Sequence, residues 1–479
     1  MAAYPSAHAV MCDPATDSIA DLGSMTEDPK HQLYGFKPQV DGKNEWLYVP
    51  LGLHHMELCA FNLKTKAKRQ ILPPDLLKLP GTIEVQRFVD GNVYGRRIET
   101  KPEMWFRCSP DGVVFVEKPP ESDREAVPQM VEGMKFGDIG ADGKLLVTDA
   151  HGKSRIIRTP LTGITYGGYS VGCERDGIIY GGGGNGRTDI YSYDMKTGEL
   201  RDLGSGSGGR VQIYDLLSHP NGIYVSGYPG ANIDLFKPQN AERVHIAQLS
   251  IEHHQERLVR LTLGPDGMIY SGGVPIKGRL GGAIVRLNPE NHAVTVWRDV
   301  VRNQSVNVGV SVPATKEMFF TTTIQGGTSA IPVEKEAFVL LWDCTVQKES
   351  WRGQPIAGTK DYGYATMART GVIYGLAGGQ QYYAFDPARR NVVHRGVLPV
   401  SSVKPLGLAH DAVGSRGLIY GIGDDAIFAI DPQDHSARIV ARHPSLAHSR
   451  GLFANADEIL YYGSGAHLWR VILDPKDGL

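Results

Sequence analysis

Histidine, tyrosine and arginine, the side chains best suited to moving protons and holding carboxylates, recur along this chain at loop-like positions. His55 stands in Leu53-His-His-Met56, His151 in Asp149-Ala-His-Gly-Lys153, and His254 follows His253. Tyr228 lies within Gly227-Tyr-Pro-Gly230, Tyr169 follows two glycines, and Tyr362 closes Lys360-Asp-Tyr. Arg97 ends an arginine pair, Arg187 follows the glycine-rich run 181–186, and Arg210 follows Gly204-Ser-Gly-Ser-Gly-Gly209. An arginine fork pairs bidentately with a carboxylate, and glycines let backbone approach a ligand closely. Removing the C5 proton of a uronate needs a base at that carbon and a cation on the carboxylate. On that reading His55 or His151 is the base and Tyr169 or Tyr228 the acid. Arg210 with Arg187 is the carboxylate clamp, and Arg97, His254 and Tyr362 complete the substrate contacts.

The same residues have plainer readings. Adjacent residues of a strand point to opposite faces, so only one of His54 and His55 can face a given ligand. His253-His254 sits among Glu252, Gln255 and Glu256, as a solvated loop would. The run 181–186 matches G-x-G-x-x-G, but no amphipathic helix follows it, and a dinucleotide site requires that helix. No H-E-x-x-H, G-x-S-x-G, Walker or EF-hand pattern occurs, which removes support for those chemistries. A divalent metal held by histidines from distant segments stays open, since spacing alone does not test it.

The scaffold for these residues is announced by a repeated phrase: a turn with Asp-Gly or Gly, an apolar pair ending in tyrosine, then glycine. It reads Asp90-Gly-Asn-Val-Tyr-Gly95, Asp176-Gly-Ile-Ile-Tyr-Gly181, Asp266-Gly-Met-Ile-Tyr270, Gly371-Val-Ile-Tyr-Gly375 and Gly417-Leu-Ile-Tyr-Gly421. Aligning Tyr48, Tyr94, Leu146, Tyr180, Tyr224, Tyr270, Phe319, Tyr374, Tyr420 and Tyr461 gives units about 46 residues apart, a spacing that fits β-propeller blades. The fold expected is all-β: one propeller domain over 1–479 built from four-stranded antiparallel blades. Ten units are counted, and the short step from Leu146 to Tyr180 leaves the true number between seven and ten. The last unit lacks an outer strand, and residues 17–23 resemble one (compare Thr197–Gly204). They are therefore expected to complete it and close the ring.

Composition narrows the partners. The 479 residues carry a net charge of −2, with 41% hydrophobic and 21% charged side chains. That describes a folded protein without the basic excess that nucleic acid or an anionic membrane demands. Five scattered cysteines without C-x-x-C argue against a disulfide framework or a zinc ribbon. No apolar run of about 20 residues occurs and no basic-then-apolar leader opens the sequence, so the cytoplasm is the expected compartment. The expected partner is a small, anionic molecule or oligosaccharide.

The repeats resemble the broad group of propellers with Asp-Gly-x-hydrophobic-Tyr-Gly blades, over roughly residues 17–475. These include NHL-type and streptogramin-lyase-like proteins and the propeller polysaccharide lyases. The polysaccharide lyases are similar in carrying His, Tyr and Arg on one face, and His55, His151, Tyr169, Arg210 and Tyr228 are the positions here that match those parts. The resemblance implies a carbohydrate-active lyase working by β-elimination on a uronate-containing or other carboxylated sugar. A propeller that only binds a protein or ligand, and a histidine-ligated metal-dependent oxygenase or lyase, are the alternatives.

Overall fold

The computed structural model describes the chain except residues 1–6, 14–15, 29–33, 53–54, 78, 80, 98–103, 121–129, 132, 140–143, 159–168, 185–188, 206–211, 329, 404–407, 414–416, 456 and 474–479. It gives backbone alone at 130–131, 136–139, 169 and 408–413. Almost every element is a strand, gathered into antiparallel four-stranded sheets, and the fold is a β-propeller. The chain divides into two compact units, residues 1–164 and 165–479.

The first unit holds three blade-like sheets and a hairpin. In the first sheet the inner strand is split: Tyr34–Gly35 and Gln39–Val40 both pair with Trp46–Gly52. The strand expected at 17–23 as the outer strand of the last blade forms at Ser18–Ser24 but does not serve as that strand: it pairs with His8–Asp13 in a two-stranded sheet of its own, whose apolar residues are taken up within the first unit. Ile19 and Cys12 of that hairpin pack against Leu145, Val147 and Ile157 of the third sheet. Leu146, aligned with the repeated tyrosines, lies in Lys144–Thr148, the third strand of its sheet. It is 47% exposed, where Tyr224, Tyr270, Tyr374 and Tyr420 are fully buried. The degenerate copy of the motif therefore marks a different strand.

The second unit is a circuit of seven blades. Its inner strands are Tyr169–Arg175, Gln212–His219, Gln255–Leu263, Ser305–Val312, Tyr362–Met367, Leu408–Val413 and Ser449–Ala454. Each lies beside the next, and the first also lies against the last, so the blades return on themselves. Val171 and Ile179 of the first of these blades pack with Phe453 and Tyr461 of the last. Gly451 permits that joint. Its φ is +65°, and a Cβ there would run into the Val171 backbone, so only glycine meets both demands. The last blade shows three strands among the described residues, ending with His467–Ile472.

The burial of the repeated tyrosine explains the motif. Buried phenols need partners for their hydroxyls, and several of these find one at a turn. Tyr270 donates to Asp266 at the head of its own phrase (2.9 Å), as Tyr94 does to Asp90 in the first unit (2.9 Å). Tyr224 reaches the Pro289 carbonyl of the next blade (3.3 Å), and Tyr420 reaches Glu458 of the next (3.0 Å). Tyr374 meets His435 Nδ1 of the next at 2.5 Å. Each of these rings fills an apolar layer while its hydroxyl ties down a turn, in three cases that of the neighbouring blade.

Candidate functional site

Every inner strand of the second unit carries a register shift against its neighbour, at corresponding places. The shifts fall between Val171 and Cys173, Ile213 and Asp215, Leu258 and Leu261, Val306 and Gly309, Tyr362 and Ala365, Leu408 and Val413, and Arg450 and Phe453. A bulge re-aims side chains that strict alternation would send elsewhere, and bulges gather beside active sites. Here they govern Tyr214, Arg260, Asn307 and Tyr364, on four successive inner strands.

The starts of the inner strands share one face of the circuit with the loops joining second to third strands; we term it the upper face. Arg257, near the start of Gln255–Leu263, is held there from three sides. Its Nε donates to the Tyr214 hydroxyl (3.0 Å) and its Nη2 to Thr328 Oγ1 (3.0 Å). Its guanidinium carbon lies 4.6 Å from the centre of the Tyr228 ring. Tyr214 and Tyr228 are themselves ring neighbours, 5.8 Å apart. Nη1 has no protein partner among the described residues. A guanidinium fixed on one edge with donors left over is a ready clamp for a carboxylate.

Asp361 stands at the start of Tyr362–Met367, on the same face. Asn307 Nδ2 donates to it at 3.2 Å and, at 2.9 Å, to the Tyr362 carbonyl. Asp361 is exposed as a residue, while its carboxyl group is crowded by protein atoms. That crowding raises its pKa above the ordinary carboxylate value, with hydrogen bonds from Thr323 and Asn307 pulling the other way. A carboxylate so tuned is a stronger base than a solvated one.

Arg260 is almost fully buried; its Nη1 donates to the Ala365 carbonyl (3.1 Å) and its guanidinium lies over the Tyr364 ring (6.0 Å). Burial, then the charge of Asp215, drives the Tyr364 phenol upward, against the opposing effect of Arg260. Asp215 accepts from the Leu261 amide (2.7 Å).

The residues expected from the sequence fall in both units. In the first, His55 Nε2 lies 2.7 Å from Glu57 Oε1, a nearly buried carboxylate. His151 is exposed in the turn between Lys144–Thr148 and Ser154–Arg158, the third-to-fourth-strand turn of its sheet, its amide bound to Asp149 (2.9 Å). Arg97 ends the strand Val93–Arg97 and is half-buried.

In the second unit, Tyr228 joins Arg257 and Tyr214. His254 is a turn residue just before the strand that carries Arg257: its φ is +54° and its carbonyl accepts from the Ile276 amide (2.9 Å). Tyr362 is buried and its hydroxyl is bound to the Ile356 backbone, accepting from N (3.1 Å) and donating to O (2.7 Å). Its hydroxyl is therefore engaged by backbone on both its donor and acceptor sides. Arg187, Arg210 and the Tyr169 side chain lie outside the described residues. Of the expected set, then, Tyr228 joins the Arg257 cluster, while His254 and Tyr362 flank Arg257 and Asp361 in sequence. Asp361 lay within the tripeptide Lys360-Asp-Tyr362 noted in the sequence but was assigned no role, and Arg257 was not singled out. The signal that could have found them is a charged residue at or just before the start of an inner strand, on the side of the blade where the second-to-third-strand loops lie.

Among the described residues, no three His, Cys, Asp or Glu side chains converge as a metal-ligand set. Nor is any helix among them long and apolar enough to cross a membrane.

No protein-family model matches the chain, and no curated protein matches it by sequence. Among solved structures, virginiamycin B lyase from Staphylococcus aureus aligns with a TM-score of 0.51 at 9% identity, over 64% of this chain and 95% of that one. A catalytically inactive histidine-to-alanine variant of that lyase, with quinupristin, aligns with a TM-score of 0.51 at 8% identity, over 71% and 99%. At such identities the likeness concerns the fold alone, and it agrees with the strand order and the circuit of inner strands: this chain has the fold of a β-propeller.

Proposed function

We propose that the upper face of the second unit is the active site of a propeller lyase acting on a carboxylated small molecule or a uronate-containing sugar. The observation that carries this reading is Arg257, gripped by Tyr214, Thr328 and Tyr228 with Nη1 left over, on the same face as Asp361, whose carboxyl pKa is raised. Arg257 binds the substrate carboxylate and stabilises the negative charge that develops when the adjacent C–H bond breaks. Asp361 takes that proton. The electron pair forms the new double bond, and the leaving group departs from the β-carbon with the electrons of its own bond. The likeness to virginiamycin B lyase supports a lyase on this fold, although one fold hosts many chemistries.

The test is near-ultraviolet absorbance during incubation with uronate-containing oligosaccharides and with quinupristin. A rising signal from conjugated unsaturation, reduced about 100-fold or more in Asp361→Asn and Arg257→Gln, is the expected result. A flat trace on every compound favours a propeller that binds without turnover.

A further inference from the structure

Three of the five most exposed large hydrophobic side chains of the second unit, among the described residues, stand on loops of the upper face: Ile251 (73% exposed), Ile331 (68%) and Val333 (62%). Two loops carry them, and both loops adjoin the groups that hold Arg257. Ile251 lies in the turn after Leu249 and Ser250, whose amides both donate to the Gly230 carbonyl (3.0 and 3.2 Å), next to the Tyr228 turn. Ile331 and Val333 lie in the long loop that begins beside Thr328. That loop is tied to its neighbours by the Gly278 amide on the Thr328 carbonyl (2.9 Å) and by Asn303 Nδ2 on Glu334 (2.8 Å).

A single exposed aliphatic residue needs no explanation. Apolar side chains on both loops that flank a held guanidinium, with the Tyr214 and Tyr228 rings beside it, form a different pattern. A polyhydroxylated sugar offers little apolar surface to isoleucine and valine, whereas a ligand with a hydrocarbon or aryl arm buries that arm against them. We infer that the ligand of this face is an amphipathic carboxylate, its anionic end on Arg257 and an apolar arm against Ile251, Ile331 and Val333. The inference rests on the proposed site and narrows its substrate class away from sugars.

Calorimetric titration with 4-phenylbutyrate and with glucuronate tests it. The unmodified protein is expected to bind 4-phenylbutyrate about tenfold or more tightly than glucuronate. The double variant Ile331→Ser/Val333→Ser is expected to lose most of that margin with glucuronate binding unchanged, and Arg257→Gln to lose both ligands. Equal affinity for the two probes, or a margin that survives the serine substitutions, overturns the apolar arm while leaving Arg257 as the anion site. Absence of binding by either probe, or binding unchanged in Arg257→Gln, overturns the site itself and the inference with it.

Discussion

The Arg260 guanidinium donates to the Ala365 carbonyl at 3.1 Å, although the two residues belong to inner strands separated by another blade. Replacing Arg260 with alanine removes that donor and opens a void in a buried layer. A loss of about 2–4 kcal/mol is expected from such a change, read from urea unfolding. A loss below about 0.5 kcal/mol would show that the contact holds nothing together.

Gly451 makes the joint between the first and last blades of the circuit. Gly451→Ala meets both a left-handed φ and the Val171 backbone, whereas Gly267→Ala meets a φ of +77° with open space around it. Both variants should destabilise, Gly451→Ala by at least about 1 kcal/mol more. Equal melting temperatures for the two would argue against close contact at the joint.

Asp361→Asn should raise stability at pH 7 while removing turnover. The folded-state pKa is raised, so the protonated form is favoured by folding. Its contribution is present below the unfolded pKa of about 3.9 and lost as pH rises through the folded value. Asparagine mimics the neutral form, so its advantage should appear at pH 7 and vanish near pH 3. Thermal melts at about these two pH values decide this, and a variant less stable at pH 7 contradicts it.

His394 and His435 stack at 4.9 Å between neighbouring blades, and burial, then His435, holds the His394 pKa below its usual value. The unfolded chain therefore takes up that proton first. Stability should be full above about pH 6.5 and decline as pH falls from there through the folded value. His394→Gln should flatten that limb of the stability curve; an unaltered slope between about pH 7 and pH 5 would remove His394 as its source.

The blades were legible in the residues alone. The tyrosine phrase marks Tyr224, Tyr270, Tyr374 and Tyr420 because a buried ring with one hydroxyl needs both an apolar layer and a turn, and both needs are written locally. It misled where the tyrosine is missing, at exposed Leu146. The site was less legible. His254 and Tyr362 were singled out, yet the proposed site rests on Arg257 and Asp361, three and one positions away. That displacement required the folded chain, because a bulge on each inner strand breaks the alternation from which facing is read. The grip on Arg257 likewise comes from Tyr214, Tyr228 and Thr328, residues far apart in sequence that meet only when successive blades pack.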